Sequence, residues 1–545
     1  MAKQWKVCGI KESELAAAVF KGGRALILLD GLDEVQKADH DRILQDIKDF
    51  THEFRNCQFV MTCRIAAREY TFQQFTEVEV ADFNREQIAE FAAKWFKAKQ
   101  DPEKGITFVK RLNNNKPIQE LATNPLLLTL LCLVFGEAAD FPSNRSELYK
   151  EGLDVLLKKW DAKRNIERDQ VYKKLSLKRK EDLLSQLAFQ AFERGGYFFK
   201  QKVVEQKIID YIRNFPEANE DEEALQLDSE AVLKSIEAQH GLLVERARGI
   251  YSFSHLTFQE YFTAKQITSP TSQLPAALSR LAAHVAETRY REIFLLTLGM
   301  LPEVDELLQL MKQQTDQLMD EPSLQVFSSW VYEKSESVDV SYKPAAVRAF
   351  YFALALALDQ YRDRDSVIDH TVYLYRTLDR DRDLTLAIDH TLDQYRAHMI
   401  SLDLTVAFAL SRALALDRTL ALYSALDRAT EKADESDLEL KSNLKALGAQ
   451  LPNREDSETM RAWWKTTGEA WAGKLRSVVT EYCNIGHDWQ FNNMQKEKLR
   501  QYYDANKLLV DCLNSDCYVT KATRQKIEET LLLPMSEIEK RKGSG

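Results

Sequence analysis

Glycine and proline are scarce in this chain, 18 and 12 among 545 residues. Collagen-like repeats and long low-complexity linkers are thereby excluded, and few positions interrupt helices. Cysteine is rare as well. The seven cysteines are scattered without metal-ligand spacing, and the closest downstream pair, Cys512 and Cys517, has no histidine nearby. Free thiols in a cytoplasmic protein are expected, not a disulfide framework or a zinc site. No apolar run reaches the roughly 20 residues of a membrane span, and the N-terminus has no signal-peptide pattern. Leu126–Phe135, the most hydrophobic segment, reads as a buried helix. Basic excess is also missing: 74 Lys and Arg against 84 Asp and Glu give a net charge of −10. That balance argues against nucleic acid as the main partner.

What the chain does have is a run of apolar residues, Ala25 to Leu29, that stops abruptly at Asp30, followed by Asp33 and Glu34. A buried parallel strand reads this way, with acids at its carboxyl end, where open α/β sheets bind ligands. Carboxylates there can hold Mg²⁺ against phosphate oxygens and orient water. A helix over 39–54, a short strand over Gln58–Thr62, a possible strand over Phe75–Val80 and a helix from Asn84 to Phe96, with Asn84 as its cap, continue the α/β alternation. From about 104 onward helix dominates. Ser229–Gln239, two short strands (Gly241–Glu245 and Ile250–Phe253) and Thr257–Gln266 suggest a winged helix, with Thr257 and Glu260 spaced as a capping box.

Further on, Val367–Arg376 is echoed by Ala387–Arg396 at an offset of 20 residues. Short Ala/Leu-rich helices with Asp-Arg turns suggest a stacked helical array; the alternative is a single helical region with fortuitous echoes. Glu431–Glu458 reads as a polar linker. Trp463, Trp464, Trp471 and Trp489 are expected in a local core, and His370 and His390 at packing or surface positions. The fold class is thus α/β, then mainly α. The organisation is a partial parallel-sheet core (1–100), a helical domain (101–227), a winged-helix region (228–267), a repeat-like array (276–450), a C-terminal helical module (459–534) and a disordered tail (535–545).

Leu28-Leu-Asp-Gly-Leu-Asp-Glu-Val35 resembles the Walker B element of NACHT domains, in the signal-transducing STAND branch of P-loop NTPases. Phe59–Arg64 resembles the sensor 1 strand, Leu121–Leu128 the motif opening the following helical domain, and Phe253–Ala264 the winged-helix segment. Asn484–Phe491 through Asp511–Cys517 resembles the module ending some bacterial NACHT proteins. The resemblance implies that Asp30 holds Mg²⁺, that Asp33 and Glu34 handle the hydrolytic water, and that Arg64 contacts the terminal phosphate. Pro125 would lie beside adenine, and His255 would reach a diphosphate. Read without the resemblance, Asp30 caps a turn, Asp33 and Glu34 form an acidic helix start, Arg64 is a solvated loop residue, Pro125 starts a helix and His255 is structural.

The family's loop, G-x-x-x-x-G-K-[ST], has no counterpart in this sequence. A relative truncated before that loop, or a reading frame that opens late, is the expectation. ATP/ADP with Mg²⁺ are the cofactors the resemblance implies. It also implies a signal-transduction switch of bacterial defence, inactive as an NTPase in this form, with a protein partner or ligand sensed through the C-terminal helices. Self-oligomerisation or pairing with a full-length homologue would accompany switching. The rival reading is a non-catalytic interaction scaffold. A DNA-binding regulator rests on the winged helix alone and is opposed by the acidic balance.

Overall fold

The computed structural model describes residues 20–29, 40–62, 81–163, 177–214, 222–236, 242–269, 273–338, 342–359, 401–414, 420–433, 437–453 and 462–543, except positions 24, 115, 143, 460, 461 and 516, together with 75, 76, 78 and 459. They divide into two compact units, one of residues 1–281 and 287–302, the other of 282–286 and 303–545.

In the first unit, β1 (Leu26–Leu29) and β2 (Gln58–Met61) pair in parallel, Leu26 opposite Gln58 through Leu29 opposite Met61. The helix His40–Glu53 connects them. Phe20, Ile27 and Cys57 form the core of this piece, with Phe50, Phe54 and Phe59 packed on it. Residues 75, 76 and 78 are irregular, and the rest of the third strand expected over Phe75–Val80 lies outside the described residues.

Asn84 caps the helix Arg85–Ala98 as expected: its side chain accepts from Gln87 N at 2.9 Å, and Gln87 Oε1 accepts from Asn84 N at 2.9 Å. Helices Pro102–Asn113, Lys116–Ala122 and Pro125–Ala138 follow. Their shared core is aromatic. Phe108 lies 5.7 Å from Phe96 and 5.2 Å from Phe135, and Phe135 lies 4.9 Å from Phe141, centroid to centroid.

The winged helix is larger than its hairpin suggested. Helix Leu177–Glu193, strand β3 (Phe199–Lys200), helix Gln201–Ile212 and helix Glu222–Ser235 precede β4 (Leu243–Ala247) and β5 (Ile250–Phe253). The sheet runs β3-β5-β4, antiparallel throughout. Residues 177–227, assigned from sequence to a helical domain, therefore supply the winged helix's first strand and first helices. The last helix, Leu256–Ile267, is not capped by Thr257: His255 is its N-cap and Glu260 is buried in its interior, so the expected capping box does not form.

The second unit, residues 282–286 and 303–545, groups helices from both the expected array and the expected C-terminal module. Helix Asp305–Gln317 packs on Asn493–Asn514 and Lys521–Thr530, and Pro344–Asp359 packs on Lys521–Thr530 as well. Helices Ser401–Leu414, Leu420–Ala433, Leu438–Gly448 and Glu469–Cys483 pack among themselves. The echo at 367–396, with His370 and His390, lies outside the described residues. Residues 287–302, given to the array from sequence, group with the first unit.

Two further expectations need correction. The polar stretch 431–458 contains the helix Leu438–Gly448, because Leu440, Leu444 and Leu447 form one apolar stripe that becomes buried. The tail is ordered through Gly543: Leu531, Leu532, Leu533 and Ile538 are buried, and Met535 N donates to Gln325 Oε1 at 2.9 Å. The tryptophans split between two clusters. Trp463, Trp464 and Trp471 meet one another, whereas Trp489 packs on Trp330, Phe327 and Phe491.

Asp305 braces Thr520, the N-cap residue of the helix Lys521–Thr530, from a distant part of the chain. Its carboxylate accepts from Thr520 N at 3.0 Å, from Thr523 Oγ1 at 2.8 Å and from the Thr520 hydroxyl. Desolvation works to raise this carboxyl, but those hydrogen bonds outweigh it and hold it below its ordinary value. A depressed carboxyl stabilises the fold above its unfolded pKa of about 3.9, and the contribution disappears as pH falls through the folded value. Asp305→Asn is therefore expected to destabilise this unit at neutral pH and to make no difference in acid below that window. Equal losses at both pH values in thermal unfolding would contradict the assignment.

Candidate functional site

Asp30, Asp33, Glu34 and Arg64 lie outside the described residues. The strands that lead to them are described. Leu29 sits opposite Met61 in the parallel ladder, and Thr62 N donates to Leu29 O at 2.9 Å. The chain thus leaves β1 and β2 at one edge of the sheet, and in sequence Asp30 follows β1 directly while Arg64 follows Thr62 by two residues. This common carboxyl edge is the geometry a phosphate-handling sheet requires.

Pro125 occupies the first turn of Pro125–Ala138 and is exposed. Asn124 caps that helix, accepting from Leu126 N at 2.9 Å and Leu127 N at 3.2 Å. Proline suits this position because its missing N–H would have no helical partner there. The apolar residues Leu127, Leu128, Leu130, Leu131 and Phe135 then bury the middle of the helix, and both its ends, Pro125 at one and Glu137 and Ala138 at the other, are exposed.

His255 is exposed at the N-cap of Leu256–Ile267, with extended backbone and its ring 5.8 Å from that of Phe258. The backbone of the preceding residue, Ser254, is held from both sides. Ser254 N donates to Leu242 O at 2.8 Å, and Arg246 donates to Ser252 Oγ at 2.9 Å and to Ser254 O at 3.0 Å. Arg246 is a positioning residue that sequence reasoning passed over. It sits at the register shift between Glu245 and Ala247 in the β4–β5 pair, which no local sequence pattern announces.

The helix opened by Pro125 and the helix opened by His255 share a neighbour. Arg145–Lys163 packs on the former, where Gly152 admits Leu130: a Cβ at Gly152 would lie 2.9 Å from Leu130 Cδ2. On the latter side, the fully buried Tyr149 stacks on Tyr261 at 5.7 Å. Burial pushes the Tyr149 hydroxyl well above its ordinary range, and the carboxylates of Glu292 and Glu260 add to the shift. Lys265 pairs with Glu181 at 2.5 Å, and Arg145 with Glu292 at 3.2 Å. The closing helix of the winged helix is thereby fastened to its surroundings by both aromatic and ionic contacts.

Nucleophilic chemistry at Cys132 and Cys483 is disfavoured. Burial pushes Cys132 and Cys483 up to about 12, which keeps them protonated at neutral pH. Among the described residues no group of three His, Cys, Asp or Glu side chains could hold a metal ion. Nor is any helix among them long and apolar enough to cross a membrane.

Three family models match the chain, in the order of its parts. They are the NACHT domain over residues 2–99, the winged helix-turn-helix domain C-terminal to NACHT over 145–267, and the NACHT C-terminal helical domain 2 over 440–534. The second match takes in Arg145–Lys163, in keeping with the packing of Tyr149 on the winged helix's closing helix. No curated protein matches the chain. With a parallel strand pair ending at one edge, a complete winged helix closed by the His255 helix, and three NACHT-associated matches in order, the chain is a NACHT-domain protein.

Proposed function

We propose that this protein is the scaffold of a nucleotide-dependent signalling switch. ATP or ADP, with Mg²⁺, would bridge the carboxyl edge of β1 and β2 and the winged helix. In this reading Asp30 holds the metal, Asp33 and Glu34 handle water, Arg64 meets the terminal phosphate, Pro125 borders the base and His255 meets the diphosphate. The observation that carries the reading is the order of parts, a NACHT match followed by a winged helix whose closing helix starts at an exposed histidine. Each nucleotide would bias one arrangement through its differential contacts. The second unit would sense a protein partner or ligand, and switching would promote self-association or pairing with a homologue, in a cytoplasmic setting.

A second reading, a non-catalytic interaction scaffold, is favoured by one feature: none of the 545 residues forms G-x-x-x-x-G-K-[ST]. That loop supplies the backbone N–H groups and the lysine that cradle phosphates. Joining a phosphate-loop segment ahead of Met1 separates the two readings. Under the switch reading the joined protein gains ADP binding, which Asp30→Ala and His255→Ala each weaken about tenfold, a loss of about 1.4 kcal/mol. Unchanged ADP affinity in His255→Ala would remove that residue from the site. Failure of the joined, folded protein to bind any nucleotide would favour the scaffold.

A further inference from the structure

We propose that the wing corner of the winged helix, formed by Phe198, Lys200, Lys202, Val203 and Arg248, docks an acidic, amphipathic segment of a protein partner. These residues are adjacent by construction of the fold. Lys200 pairs with Ile250 in the β3–β5 ladder, and Gln201 N donates to Gly249 O at 2.8 Å, so the tip of the wing lies against the start of Gln201–Ile212. Along β3 the side chains alternate. Phe199 turns inward to Phe253, 6.0 Å away, which leaves Phe198 and Lys200 on the outer face.

The corner is both charged and greasy. Lys200, Lys202 and Arg248 are exposed, and among the described residues none of the three forms an ion pair. Phe198 and Val203 beside them are 47% and 46% exposed. The carboxylates nearby are turned to other work. Glu245 accepts from Gly249 N at 2.6 Å, and the buried Glu205 accepts from Gln201 Nε2 at 2.7 Å and Gln226 Nε2 at 3.0 Å. The corner is also rigid, because Arg246 pins the hairpin through Ser252 and Ser254 and Gly249 takes the left-handed backbone (φ +73°) that the tight turn requires.

Charge complementarity selects an anionic partner for this surface, on a chain whose net charge is −10. Two features favour protein over nucleic acid. The helix Glu222–Ser235, in the position from which a winged helix would enter a groove, carries Glu222, Glu223, Asp228 and Glu230 against Lys234. That charge would repel a duplex. Apolar shoulders beside the cations match a segment that alternates acidic with apolar side chains, which a phosphate backbone does not.

The test uses the full chain and a fluorescent peptide carrying Glu and Asp on one helical face and Leu and Phe on the other. Controls are the same peptide with Ser in place of Leu and Phe, and a short duplex DNA. The amphipathic peptide is expected to bind, about tenfold more weakly to Lys200→Glu/Lys202→Glu/Arg248→Glu and more weakly as salt rises. The Ser peptide and the duplex are expected to bind less well than the amphipathic peptide, and Phe198→Ser is expected to reduce the difference between the two peptides. All substituted residues are exposed, so circular dichroism and thermal unfolding should match those of the unsubstituted chain. The assignment is overturned if the amphipathic peptide does not bind, if the charge-reversed variant binds it equally, or if the duplex binds more tightly than the peptide.

Discussion

Replacing Lys334 with methionine is expected to cost the second unit about 3–5 kcal/mol, because it strands a buried carboxylate. The Lys334 ammonium lies 2.9 Å from Asp403 Oδ2 and donates to Cys483 O at 2.7 Å, and Tyr351 OH donates to the same carboxylate oxygen at 2.7 Å. The Lys334 and Asp403 side chains are only 9% and 13% exposed. Lys334 also faces the C-terminal carbonyls of Glu469–Cys483, where a positive charge is favourable, and one turn earlier Trp330 Nε1 donates to Asn484 O at 3.1 Å. Four helices, Pro322–Glu336, Pro344–Asp359, Ser401–Leu414 and Glu469–Cys483, are tied at this point. The double variant Lys334→Met/Asp403→Leu is expected to recover much of the loss, since an apolar pair in place of a buried ion pair is often near neutral. Urea unfolding followed by tryptophan fluorescence would measure both. An unchanged midpoint for Lys334→Met, or a double variant no better than the single one, would show that the pair does not hold the unit together.

In the first unit, Phe135→Ala is expected to lose about 3–5 kcal/mol. Phe135 is completely buried and meets Phe96, Phe108 and Phe141 at once, at centroid distances of 6.3, 5.2 and 4.9 Å. Removing the ring opens a cavity among rigid aromatic neighbours that collapse poorly into it. Phe135→Leu should lose less, because it keeps more of the volume. The loss should appear as easier hydrogen exchange in Arg85–Ala98 and Pro102–Asn113, which share that core. Unaltered exchange there would mean that the cluster does not couple these helices.

The features readable from sequence are those set by neighbouring residues. The Asn84 cap, the Pro125 helix start and the strand character of the apolar run Leu26–Leu29 all follow from local chemistry. Features created by distant contacts were not readable. Strand β3 is two residues long and exists only through its pairing with β5. Helix Leu438–Gly448 hides three buried leucines in a polar sequence. The bond from Thr520 N to Asp305 spans 215 residues, and the bond from Arg348 Nε to Leu531 O spans 183. No local pattern announces such contacts. Thr257 and Glu260 show the opposite failure: the capping spacing was present, but burial of Glu260 and the placement of His255 at the N-cap overrode it. Of the site residues, Pro125 and His255 lie at exposed helix starts, while Asp30, Asp33, Glu34 and Arg64 lie outside the described residues.

The most direct measurement is ATP turnover by the purified 545-residue chain with Mg²⁺, compared with Glu34→Gln. These 545 residues contain no G-x-x-x-x-G-K-[ST] to cradle phosphates, so no turnover above background is predicted, and Glu34→Gln should be indistinguishable from the unsubstituted chain. Robust Mg²⁺-dependent hydrolysis that Glu34→Gln abolishes would contradict this account of the nucleotide site.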